Sequence, residues 1–267
     1  MFNHPISLPI SRRNFGGATL ALLTTSTSFA QVSNLGDAIN KAGRQRMLSQ
    51  RMAKAWMSLG LGVEADSARR VLAQSITLFE RQLTELKAFA PAGETRDTYA
   101  QLESAWSGYK ALLVGTAPAQ SQGKRVLDQA DKVLALANKG TGLYEQQSGK
   151  PGAKLVNVAG RQRMLSQRMA QFYLANAWNV DSAASQREMV KARDEFIPAL
   201  ALLRNAPEAT PDIKQTLVLA DAQWMFFDNA LKTRIASPKA ASDVFVASEN
   251  LLQVIDRVTG QYARILG

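Results

Sequence analysis

A twelve-residue block, AGRQRMLSQRMA, occurs twice in this chain of 267 residues, at positions 42–53 and 159–170. The copies are 117 residues apart, and weaker similarities keep nearly the same spacing. Matched pairs outside the block are Phe79 with Phe196, Leu83 with Leu200, Leu86 with Leu203 and, after a one-residue shift, Trp106 with Trp224. We therefore interpret the chain as a tandem duplication. Core packing needs only an apolar pattern, so an identical block with three arginines, two glutamines and a serine indicates a further constraint.

Residues 1–30 have the pattern of an export signal. A twin-arginine motif, Ser11–Phe15, precedes a mildly apolar run at 16–29 and a small-x-Ala cleavage pattern that ends at Ala30. We expect twin-arginine export, cleavage before Gln31 and a soluble periplasmic protein. The rival interpretation is a membrane anchor, but the run is short of the ~20 strongly apolar residues that a spanning helix needs. No later segment is apolar enough to span a bilayer.

Composition excludes several classes of function. The chain has no cysteine, and its one histidine, His4, lies in the predicted signal. These absences exclude disulfides, Cys or His nucleophiles and soft-metal sites from the mature chain, and we expect no metal, no cofactor and no enzymatic activity. Core packing explains the aromatic residues that recur at helical spacing. They are Trp56, Trp106, Tyr173, Trp178, Trp224, Phe226 and Phe227.

The chain is strongly basic. Its formal net charge is +10, which falls to +8 when Arg12 and Arg13 leave with the signal. A basic exported protein suits an anionic ligand, an anionic membrane surface or an acidic partner, and nucleic acid is not expected in the periplasm.

Hydrophobic periodicity predicts an all-α protein. Apolar residues recur at intervals of three and four, and alternating strand patterns are absent. Breaks rich in glycine, proline and asparagine divide each half into four helices, which predicts two tandem four-helix bundles at 31–149 and 150–267. Pro198 lies inside a predicted helix, which it should kink or restart. The predicted breaks lie near 60–63, 91–93, 115–118, 149–152, 179–181, 205–211 and 237–238.

Arg46 occupies a stripe of small and apolar residues on the first helix, whereas Arg44 and Arg51 share another face. Small residues such as Ala42 and Gly43 allow another helix to approach closely. A buried guanidinium without a partner costs several kcal/mol or more, so Arg46 must meet an anion. The sequence leaves two candidates, a carboxylate of the protein and a bound ligand.

An antiparallel fourth helix offers carboxylates at the level of the last arginine of each block. Asp131 in the first half and Glu249 in the second are predicted to pair with Arg51 and Arg168, which makes those two arginines structural.

The residue of the fourth helix that lies level with the middle arginine differs between the halves. It is Asn138 beside Arg46 but Asp256 beside Arg163. Our hypothesis is that Arg163 is neutralised within the protein, while Arg46 stays available for a small oxyanion. The planar guanidinium matches nitrate, nitrite, sulfate or carboxylate with two parallel hydrogen bonds.

Residues 40–52 and 157–169 resemble the first-helix signature of the PilJ-type sensor domain, found in type IV pilus chemotaxis transducers and NarX-like nitrate/nitrite sensor kinases. The resemblance implies a periplasmic four-helix bundle. It also implies that the arginine of a Gly-x-x-Arg-Met pattern holds nitrate where two first helices meet at a dimer interface. The matching positions are Arg46, Gly43 and Arg51 in the first copy and Arg163, Gly160 and Arg168 in the second.

This sequence differs from those sensors in three respects. It contains two copies in one chain, it has no kinase or methyl-accepting output region, and it adds Arg44 and Arg161. These extra arginines make the sequence resemble the PilJ branch more than the nitrate-sensing kinases, and the PilJ branch is not tied to one ligand.

The duplication allows two geometries. If the break at 149–152 reverses the chain, the two first helices pair as a built-in dimer, and Arg46 and Arg163 flank one shared anion. If the fourth helix continues into the fifth, the bundles stack end to end with their sites ~40 Å apart, and each site needs a partner chain in a homodimer.

We therefore expect an exported sensor-type protein that binds a nitrate-like or nitrite-like oxyanion and relays the bound state to a membrane sensor or chemoreceptor. The alternative is a periplasmic structural or adaptor protein that packs its small-residue stripe against another PilJ-type bundle, with every arginine neutralised by carboxylates.

Overall fold

The computed structural model describes Met1, residues 31–233 and residues 237–266. The predicted export signal at 1–30 therefore lies outside the described residues, apart from Met1. The described part is all-α, as predicted. Its eight α-helices are α1 (Leu35–Leu61), α2 (Ala65–Phe89), α3 (Glu94–Val114), α4 (Gly123–Ser148), α5 (Pro151–Ala177), α6 (Ser182–Asn205), α7 (Pro211–Lys232) and α8 (Pro238–Leu266).

The helices end where local chemistry ends them. The side chain of Asn34 caps α1 by accepting a hydrogen bond from the Asp37 backbone N–H, at 2.9 Å. Gly149 closes α4 with φ +61°, a left-handed conformation that glycine adopts without strain. Pro151 then begins α5 at a position where a helix needs no backbone donor. Each predicted break corresponds to an observed helix boundary.

The second half folds back beside the first, so the built-in pairing is the geometry that the chain adopts. In the first half α1 packs against α2 and α4, in the second α5 packs against α6 and α8, and α1 lies along α5 between them. These two helices are parallel, because Trp56 and Trp178, near their carboxyl ends, have ring centroids 5.5 Å apart. The end-to-end alternative is wrong, since the break at 149–151 reverses the chain.

The small-residue stripe is covered within the chain. Ala42, Gly43 and Ala53 are buried, Gly43 lies against Gly160 of α5, and Gln50 of the same stripe accepts a hydrogen bond from Arg168 of α5. The adaptor alternative assigned this stripe to contact with another bundle, and the structure instead uses it to join the two halves.

Two predictions about individual residues need correction. Phe226 was assigned to the core, but its side chain is 67% exposed, whereas Phe227 is buried. Successive helical residues point about 100° apart, so only one of the two faces the core. Of the two outcomes predicted for Pro198, the restart is wrong, because α6 runs through this residue, whose missing N–H would face Asp194 on an exposed surface. The predicted kink stays a prediction. In the described part, no helix is long and apolar enough to cross a membrane.

Candidate functional site

The two repeated blocks meet at Gly43 of α1 and Gly160 of α5. A β-carbon placed on either glycine would lie 3.7 Å from the Cα atom of the other. This is an ordinary van der Waals distance, so the backbone of the opposite helix does not by itself exclude a side chain at either glycine.

The guanidinium groups of Arg46 and Arg163 end at this crossing. Nη2 of Arg46 lies 3.2 Å, and Nη2 of Arg163 lies 3.3 Å, from the point where a Gly43 β-carbon would stand. The same two distances hold at Gly160. Because both nitrogens lie within 3.3 Å of the same point, they are close to each other. The structure brings the two predicted arginines into one site.

Arg46 is 1% exposed and has only neutral acceptors. Its Nη1 donates to Asn138 Oδ1 at 3.0 Å and its Nη2 to the backbone carbonyl of Asn157 at 3.1 Å. Its Nε has no partner. Burial, with the positive charges of Arg161 and Arg163, lowers the pKa of Arg46 from 12.5 to about 9. Arg46 is therefore a buried cation without a directly bound counter-ion among the described residues.

Asn157 links Arg46 to the carboxylate of Glu145. The side chain of Asn157 donates a hydrogen bond to Glu145, and the charge of Glu145 favours the protonated form of Arg46. Glu145 has no ion-pair contact with Arg46, so it offsets the guanidinium charge only in part.

Arg163 is also buried, but it has a counter-ion. Its Nη1 donates to Asp256 Oδ1 at 2.5 Å and to Asn40 Oδ1 at 3.0 Å, and its Nη2 donates to the backbone carbonyl of Asn40 at 2.9 Å. Burial lowers the pKa of Arg163 to about 10, although Asp256 opposes this shift. Burial alone would raise the pKa of Asp256, but Arg163 and Arg44 lower it to about 2.

Asn138 and Asp256 occupy equivalent positions on α4 and α8. Each accepts hydrogen bonds from two arginines, one from each half of the chain. Asn138 bonds Arg46 and Arg161, and Asp256 bonds Arg163 and Arg44. The predicted levels of Asn138 and Asp256 are thus confirmed, and the Arg46 side of the site has one negative charge fewer.

Arg51 and Arg168 form ion pairs, but with partners exchanged between the halves. Arg51 donates to Glu249, with Nε to Oε1 at 3.0 Å, and Arg168 donates to Asp131, with Nη2 to Oδ2 at 3.1 Å. The predicted pairings within each half are wrong, because α1 and α5 lie side by side, so that Arg51 reaches α8 and Arg168 reaches α4. Arg168 has further acceptors in Glu188 at 2.9 Å and Gln50 at 2.8 Å. Both arginines therefore have structural partners.

Sequence reasoning missed Lys54. Its side chain is fully buried, and its Nζ donates to Ser248 at 2.9 Å and to Glu249 at 2.6 Å. Burial lowers the pKa of Lys54 to about 8, even though Glu249 opposes the shift. Burial alone would raise the pKa of Glu249, but Lys54 and Arg51 lower it to about 2. The sequence feature that could have identified Lys54 is a difference between the repeats, since Gln171 occupies the equivalent position in the second copy.

The roles of Asn40 and Asn157 were also missed. Each lies three residues before the glycine of its block and offers its backbone carbonyl to the arginine of the opposite helix. Both copies keep this asparagine while the next residue changes from Lys41 to Val158, which was the available signal.

One comparison with known proteins gives a result. The family model described as "PilJ: Type IV pili methyl-accepting chemotaxis transducer N-term" matches the chain twice, at residues 28–137 and 145–246. Each matched segment contains one copy of the repeated block. A search of curated proteins and a search of solved structures each found no match.

Proposed function

The chain belongs to the PilJ family, as two tandem copies of a sensor-type domain of chemotaxis transducers, and on this premise we propose that it binds a small oxyanion where α1 crosses α5. The observation that carries the proposal is the state of Arg46. This guanidinium is buried, and its Nη1 and Nη2 contact neutral acceptors only. A buried cation in this state gains most from an added anion.

Asn138 gives the anion a route to Arg46. The residue is exposed, yet its Oδ1 occupies the acceptor position on Arg46 Nη1. A planar oxyanion that replaces this oxygen forms charge-assisted hydrogen bonds, and the displaced amide of Asn138 can turn its NH₂ group toward the anion. The anion must be small, because Nη2 of Arg46 and Nη2 of Arg163 already lie 3.2 and 3.3 Å from the β-carbon positions of Gly43 and Gly160. Nitrate and nitrite fit this description.

The second half of the site does not offer the same opportunity. Asp256 already neutralises Arg163, and an aspartate repels an anion and has no hydrogen to donate. We therefore propose one anion per chain, on the Arg46 side. Export by the twin-arginine route and relay of the bound state to a membrane receptor complete the proposal.

Calorimetric titration with nitrate, nitrite, sulfate and chloride, at a background ionic strength of ~150 mM, tests the oxyanion proposal. At this ionic strength, generic attraction to a basic protein is largely screened. We expect saturable binding of nitrate or nitrite. Binding should be lost in Asn138→Asp, which places an anion of the protein on Arg46, and retained in Lys214→Gln, which removes one exposed positive charge elsewhere. Absence of heat with every anion, or equal binding by Asn138→Asp, contradicts the proposal.

A further inference from the structure

A second candidate site lies at the junction of the two halves. It is a cavity of about 290 Å³ between α4 of the first half and α5 and α6 of the second. Apolar side chains contribute to its lining, namely Leu134, Ala135, Met164, Leu165 and Ala192. The cavity therefore offers a contact surface for a short aliphatic group.

Charges of both signs surround this apolar surface. Arg161 is paired with Glu195, and the two side chains remain 38% and 36% exposed. Within the described residues, Lys191 has no carboxylate within 4.0 Å. The six charged lining residues have a formal net charge of zero and are Arg161, Arg168, Lys191, Asp131, Glu188 and Glu195.

The first half provides an internal reference for the α6 wall of this cavity, which we define as Glu188, Lys191 and Glu195. At a spacing of 117 residues, neutral residues of α2 occupy the three equivalent positions. They are Val71, Gln74 and Leu78. Val71 is buried and Leu78 packs against the core. In the first half this helix packs without charge at these positions, so the charged wall is specific to the second half, where Glu188 also pairs with Arg168.

We propose that this cavity binds a zwitterion with a short aliphatic group, of the class of aliphatic α-amino acids. The ligand carboxylate pairs with Lys191 and Arg161, its ammonium pairs with Glu195 and Glu188, and its side chain covers the apolar lining. A zwitterion suits this cavity because its carboxylate meets Lys191, which has no carboxylate within 4.0 Å among the described residues, while its ammonium keeps the net charge of the site at zero. A cavity of about 290 Å³ lies at the lower limit of small-molecule sites, which suits a ligand as small as an amino acid.

This site is separate from the proposed oxyanion site, although the two share a residue. Asn138 lines the cavity and accepts a hydrogen bond from Arg161 at 3.4 Å as well as from Arg46. The zwitterion also contacts the α6 wall, which has no hydrogen bond to Arg46. Substitutions in that wall therefore separate binding of the zwitterion from binding of the oxyanion.

The test compares L-leucine with two analogues that each lack one charge. Calorimetric titration with L-leucine should give saturable heat, whereas 4-methylpentanoate, without the ammonium, and 3-methylbutylamine, without the carboxylate, should bind at least about tenfold more weakly. Equal binding of either analogue, or no binding of L-leucine at millimolar concentration, overturns the proposal.

Variants locate the binding. Lys191→Gln removes an exposed side chain without an ion pair, so it should fold normally and weaken L-leucine binding about tenfold. The exchange Glu188→Val, Lys191→Gln and Glu195→Leu installs the residues of the first half and should abolish L-leucine binding while any heat with nitrate remains. Lys214→Gln, on the exposed face of α7, is the matched control and should bind L-leucine like the wild type. Unchanged L-leucine binding by Lys191→Gln and the triple variant contradicts the assignment.

Discussion

Replacing Asn138 with aspartate should stabilise the protein, because it gives Arg46 the counter-ion that Arg163 already has. Arg163 beside Asp256 is the reference from which the size of this effect is judged. The pKa is lowered to about 9 for Arg46, beside Asn138, and to about 10 for Arg163, beside Asp256. A difference of one pKa unit corresponds to about 1.4 kcal/mol. Asn138 is exposed, so the new carboxylate loses little hydration.

The sign of this effect fixes the pH of the measurement. The pKa of Arg46 in the folded protein lies below its ordinary value of 12.5. The unfolded chain therefore binds more protons between these two values, and the destabilisation from burying the charge is fully present below pH 9. At pH 7, Asn138→Asp should raise the free energy of unfolding by on the order of 1 kcal/mol, or the melting temperature by about 2–4 °C.

Urea unfolding and thermal melting in chloride buffer check this value. Asp256→Asn is the mirror-image control and should lower stability by at least a similar amount, because Arg163 and Arg44 then share a neutral acceptor. Added nitrate should stabilise the wild type through binding to the folded state, and Asn138→Asp should not respond. If Asn138→Asp is neutral or destabilising, and nitrate stabilises it as it does the wild type, the idea of a charge deficit at Arg46 is wrong.

Three further predictions test the surroundings of the site. Gly43→Ala forces a methyl group against both guanidinium groups and should lower the free energy of unfolding by about 1–2 kcal/mol, whereas Gly108→Ala, in open space on α3, should raise it by about 0.5–1 kcal/mol in urea titrations. Glu249→Gln leaves Lys54 buried without its carboxylate and should cost about 3–5 kcal/mol at pH 7, while a cost below 1 kcal/mol would contradict the assigned role. The pKa of Lys54 is about 8 in the folded protein, against 10.5 ordinarily. Between these pH values the free energy of unfolding of the wild type should therefore rise by about 1–3 kcal/mol relative to that of Lys54→Gln. Parallel pH profiles of the two proteins would refute this prediction.

The helices and their limits followed from local rules that a sequence displays directly. Asparagine at a helix start, glycine in a left-handed conformation and proline in a first turn act within a few residues, so the break at 149–151 was predictable. The levels of Asn138 and Asp256 followed from helix rise and an antiparallel neighbour alone. Such predictions hold because they do not depend on how the two halves are arranged.

The exchanged ion pairs did depend on that arrangement. Arg51 has a suitable carboxylate at the correct level in either half, and only the parallel contact of α1 with α5 selects Glu249 over Asp131. The same contact buries Lys54 against Ser248. Periodicity places such side chains on a face but does not say which helix covers that face.

The sequence by itself determined the helical class, the duplication, the helix limits and the arginines of the candidate site, since all four depend on residue type and spacing. The tertiary structure alone decided that the two blocks cross at Gly43 and Gly160 within one chain. It also decided that Asn157 supplies a carbonyl to Arg46, and that a charged cavity opens beside α6. The first two features require residues more than a hundred positions apart to meet, and the cavity requires side chains from α4, α5 and α6 to converge. Their meeting depends on the direction and rotation of whole helices, which the packing of both halves sets together.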